Sequence, residues 1–68
     1  MFSNIVPPEY IIERGRFGKM TLVIYDPPTM GAYKTIDLPY YDKKLNKEII
    51  ETNMSIVYKG LGLIYENY

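Results

Sequence analysis

Along residues 19–25 (KMTLVIY) every second position is apolar, so an extended chain would place Met20, Leu22 and Ile24 on one side and Thr21, Val23 and Tyr25 on the other. The segment is rich in β-branched and aromatic residues, which suit a pleated, packed surface. Apolar residues on both sides mark it as a central strand, or as one covered from both directions. Glu9–Arg14 (EYIIER) alternates less strictly, with Tyr10 and Ile12 facing one way and Ile11 the other. Ala32–Leu38 (AYKTIDL) reads as a return strand with Ile36 and Leu38 inward, and Pro39 ends it. Two loops separate these strands. RGRFGK, with Gly15 and Gly18, is a hairpin tip, and DPPTMG must turn because Pro27 and Pro28 cannot continue a ladder, while Gly31 is free to take positive φ.

After Pro39 the period lengthens. Asp42 is placed to cap a short helix reaching about Thr52, with Tyr41, Leu45 and Ile49 as an i, i+4 stripe. Its charges run against the macrodipole: Lys43 and Lys44 open it, and Glu48 and Glu51 lie toward its expected end. Such a helix needs packing to persist. Residues 54–58 and 61–65 then read as a second hairpin around Lys59 and Gly60. The order is β-β-β-α-β-β, an α+β fold with a small, mainly antiparallel sheet and one short helix. Residues 1–8 (MFSNIVPP) form an extended arm, whose prolines hold it away from the first strand, and residues 9–68 form a single domain.

Composition narrows the chemistry. The 68 residues hold no Cys and no His, which excludes disulfides, Cys/His metal sites and the usual neutral-pH base. Ser3 and Ser55 are the serines, and neither stands in a G-x-S-x-G elbow; Gly60 and Gly62 are too close together to cradle a phosphate. The carboxylate pairs Glu9/Glu13 and Glu48/Glu51 read as solvated polar faces. A chain this short has little room for a walled pocket of ~300 Å³. We therefore expect no enzyme, no catalytic residues, no metal and no cofactor. The first ten residues have neither a basic n-region nor an apolar h-region, and no run approaches a membrane span, so neither a signal peptide nor a membrane partner is expected.

What remains points to protein contacts. Eight tyrosines, with no Trp, exceed what so small a core can hold with every hydroxyl satisfied, and surface Tyr is typical of contact faces. The expected interface residues are Phe2, Ile5 and Val6 of the arm, together with Tyr25, Tyr33, Tyr40, Tyr41 and Tyr68. Arg14, Arg16, Phe17 and Lys19 interleave basic and aromatic side chains, as single-strand nucleic-acid binders do, but 8 basic against 8 acidic residues argue against that partner. Ile, Tyr, Lys, Asn and Phe supply 29 of the 68 residues and Gly, Pro, Arg and Ala only 13, the signature of an AT-rich genome. The expectation is a non-enzymatic structural or interaction subunit of a larger assembly, in a phage or viral virion or the host cytoplasm. A small phage-encoded inhibitor of a host or defence protein is the alternative, and a β-sheet nucleic-acid module the second.

Overall fold

The computed structural model describes residues 5–39 and 42–66. Strands β1 (Glu9–Arg14), β2 (Met20–Tyr25) and β3 (Ala32–Leu38) form an antiparallel sheet in the order β1-β2-β3, followed by helix α1 (Lys43–Gly60). The fold is α+β, with the expected central strand. Register pairs Ile12 with Leu22 and Leu22 with Ile36, which aligns the apolar positions of all three strands on one face. Leu22 and Ile24 are fully buried there, joined by Met20, Leu38 and, from α1, Met54.

The second hairpin does not form. Residues 54–58 are the last turns of α1, and residues 61–66 contain a turn but no strand, so the element order is β-β-β-α. The reason is spacing. As a strand, Met54, Ile56 and Tyr58 would share a face; in the helix Ile50, Met54, Val57 and Tyr58 share one, all packed on the core, and Ile56 points to solvent. The KGLG run that resembles a hairpin loop is a helix stop. Gly62 takes φ +75°, its N–H donates to the Lys59 carbonyl (3.0 Å), and the Leu63 N–H donates to the Tyr58 carbonyl (2.8 Å). This pair of bonds is the Schellman arrangement, with Gly62 rather than Gly60 in the left-handed position.

The longer helix also changes its electrostatics. Glu48 and Glu51 fall mid-helix instead of at its end, and Lys59 occupies the last turn, where a cation is favoured. Lys43 and Lys44 remain adverse at the start, but the Asp42 carboxylate accepts from the Lys44 and Leu45 N–H groups at 3.0 and 3.2 Å. Lys47 and Glu51 form an i, i+4 ion pair at 3.8 Å.

Both hairpins place a bulky residue, not only glycine, at positive φ. In the β1–β2 tip, Phe17 (φ 61°) precedes Gly18 (φ 76°), and the Gly15 N–H to Lys19 carbonyl bond of 2.7 Å closes the loop. In the β2–β3 turn, Met30 takes φ 61° where Gly31 was expected to supply it. Thr29 Oγ1 donates to Asp26 (2.8 Å) and accepts from the Gly31 N–H (3.2 Å), which sets the turn one residue early. A bulge follows: Tyr25 pairs with Ala32 and Ile24 with Lys34, leaving Tyr33 as the extra residue of β3.

The root of the arm is pinned. Pro8 is fully buried, and its carbonyl accepts from Tyr58 Oη at 3.1 Å. Pro8 therefore ties the first strand to α1 instead of holding the chain away, and Ile5, Val6 and Pro7 before it are exposed.

Two outcomes test this account. Leu22→Ala should cost about 2–5 kcal/mol, enough to unfold most of a domain with so few buried residues. A stable variant in urea titration would show that the core lies elsewhere. Phe17→Gly removes left-handed strain and, at 104% exposure, no packing, so its melting temperature should stay level or rise; a fall would mean the ring is held.

Candidate protein-interaction surface

Helix α1 covers one face of the sheet, and no other element of the described residues covers the opposite face. The open face carries the alternate residues of each strand: Glu9, Ile11 and Glu13 from β1, Thr21, Val23 and Tyr25 from β2, and Thr35 and Asp37 from β3. Tyr33 joins them because the bulge sets both it and Ala32 opposite Tyr25. Ile11 and Tyr33 are 44% and 43% exposed, and Val23 and Tyr25 are half-buried. At one corner the Lys19 ammonium pairs with Asp37 at 3.3 Å, and Thr21 Oγ1 donates to the same carboxylate at 3.4 Å. The face is thus an apolar centre between polar margins.

The expected interface residues divide accordingly. Tyr25 and Tyr33 stand together on the open face, while Ile5 and Val6 are exposed in the chain before β1. Phe2, Tyr40, Tyr41 and Tyr68 lie outside the described residues. Ile11 and Val23 complete the apolar patch and are not among the expected interface residues, although their alternation with Ile12, Leu22 and Ile24 already puts them on the far side of the sheet. The basic cluster is gathered at one hairpin end: Arg14 closes β1, Arg16 and Phe17 form the tip, and Lys19 leads into β2, all exposed. Lys19 is already engaged by Asp37, which reduces the cluster's free charge.

An open groove of about 390 Å³ lies on the helix side. Tyr10 of β1 and Tyr65 form aromatic walls, Ile50 contributes apolar surface, and Lys43, Lys47 and Glu51 of α1 contribute charge. Tyr65 stacks edge-on against Tyr58, with ring centroids 5.0 Å apart. Burial raises the Tyr65 phenol above its ordinary value of 10.0, helped by Tyr10, Glu51 and Tyr58 nearby. Among the described residues no three carboxylates gather as metal ligands would, and no helix is long and apolar enough to cross a membrane. The chain has no significant match among protein-family models, curated proteins or solved structures.

The raised Tyr65 pKa fixes a sign. Its stabilising contribution is complete below pH 10.0, where the unfolded chain also keeps the phenol protonated, and is lost as pH climbs through the higher folded value. Thermal unfolding above pH 10 should therefore show falling stability that is shallower in Tyr65→Phe. Equal slopes for the two proteins would place Tyr65 in solvent.

Proposed function

We propose that this chain is a non-enzymatic interaction subunit of a larger protein assembly, and specifically a small virion protein of a phage or virus. The observation that supports the reading is the open sheet face, where Ile11, Val23, Tyr25 and Tyr33 form an apolar patch with no layer of the described chain over it. Covering a Val-, Ile- or Tyr-sized side chain contributes roughly 1.5–3 kcal/mol when burial is complete. Several such residues would give a partner surface energy comparable to the modest stability of so small a core. Ile5 and Val6, exposed just before the pinned Pro8, extend the apolar area along the chain. The AT-rich composition fits a phage or an archaeal virus, as it fits a low-GC bacterium.

Tagged protein expressed within its native genome should co-purify with a particle in many copies per particle. Recovery with a single host enzyme at one-to-one stoichiometry would replace the subunit reading with that of an inhibitor. Arg14→Ala/Arg16→Ala should leave this association unchanged. Loss of it together with a steep salt-dependent affinity for single-stranded DNA would make the hairpin tip a nucleic-acid site.

A further inference from the structure

The open face has an arrangement of charge as well as of apolar area. Glu9 and Glu13 flank Ile11 along β1, and Asp37 stands across the sheet on β3. Lys19 is the cation that the described residues set against this face, and its ammonium is committed to Asp37 at 3.3 Å. The other cations of the strands, Arg14 and Lys34, alternate onto the helix side, where Lys34 Nζ donates to Asn53 of α1 at 2.8 Å. Arg16 lies beyond the sheet, in the hairpin tip. The β1 margin is therefore acidic and unneutralised from within its own face. A second copy presenting the same face would bring no free cation to it, so self-packing is disfavoured there.

Dimensions narrow the partner further. Three strands ~4.8 Å apart span about 10 Å between outer axes and run about 20 Å, which is the footprint of one helix of ~10–12 Å diameter. The opposite face already carries one helix, with Met54, Val57 and Tyr58 packed on the core. We propose that the open face docks a single amphipathic α-helix of another protein. Its apolar stripe covers Ile11, Val23 and Tyr25, and its flanking Lys or Arg side chains meet Glu9 and Glu13. The complex is a three-layer α/β/α sandwich in which the partner supplies the missing layer. This assignment rests on the interaction-subunit reading and names its partner's chemistry.

A synthetic Leu/Lys amphipathic peptide of roughly 18 residues, long enough to cross the sheet, and its Leu/Glu counterpart are the probes. Fluorescence anisotropy should show binding of the Leu/Lys peptide alone. Amide chemical-shift changes should map to β1 and β2 residues of the open face. Glu9→Gln/Glu13→Gln should weaken binding by about twofold to fivefold per carboxylate and flatten its salt dependence. Ile11→Lys, at an exposed edge-strand position, should abolish binding while circular dichroism shows the fold intact. Equal affinity for both peptides, shifts confined to the groove or the hairpin tip, or an unchanged affinity in the Gln variant would each overturn the proposal. Any of these results from a chain that still co-purifies with particles removes the helix assignment and leaves the subunit reading standing. Peptide binding as expected, without particle association, does the reverse.

Discussion

A helix with one apolar stripe can bury that stripe against one surface only, and a three-stranded sheet has two. In this chain the stripe of Ile50, Met54, Val57 and Tyr58 settles on the side of Leu22 and Ile24, and the other features follow from that choice. The covered side collects every buried apolar residue of the strands. The uncovered side keeps Ile11, Val23, Tyr25 and Tyr33 at the surface, although their residue types are those of a core. Polar and charged residues elsewhere follow the same division, with Lys34 reaching Asn53 on the helix side and Asp37 holding Lys19 on the other.

The sheet was legible in the sequence because a period of two needs only a few residues to declare itself. Leu22 and Ile24 emerge as the most buried residues, and Ile36 and Leu38 turn inward, as their alternation requires. The end of the helix was not legible for a local reason. MSIVY has the β-branched, aromatic look of a strand, and at five residues its period is ambiguous. Only the phase of Met54, Val57 and Tyr58 relative to Ile50, read across the whole stretch, distinguishes the two. Gly60 and Gly62 compounded the ambiguity, since a glycine near a positive-φ site marks either a hairpin or a helix stop. The open apolar patch was half legible. Tyrosine number pointed to Tyr25 and Tyr33, whereas Ile11 and Val23 join the open apolar patch only once the position of α1 is known.

Each hairpin accepts a left-handed residue with a large side chain, Phe17 in one and Met30 in the other. Each costs on the order of 1 kcal/mol relative to an unstrained conformation. The two hairpins tolerate it by different means. Hydrogen bonds from Asp26 and Thr29 fix the second turn in place. The first relies on the adjoining Gly18 and on the Gly15–Lys19 backbone bond.

The bond from Tyr58 Oη to the Pro8 carbonyl joins residues 50 apart in a chain of 68. Met54, four residues before Tyr58, is itself part of the core that Met20 and Leu22 begin. During synthesis the three strands are complete after Leu38, yet their apolar side has no cover until the second half of α1 has been made. Leu22 and Ile24 are therefore shielded only when contacts spanning most of the chain have closed, and such non-local contacts slow folding. A fragment that stops short of Met54 would keep the three strands but leave their apolar side open, so the sheet and the second half of α1 form one cooperative unit.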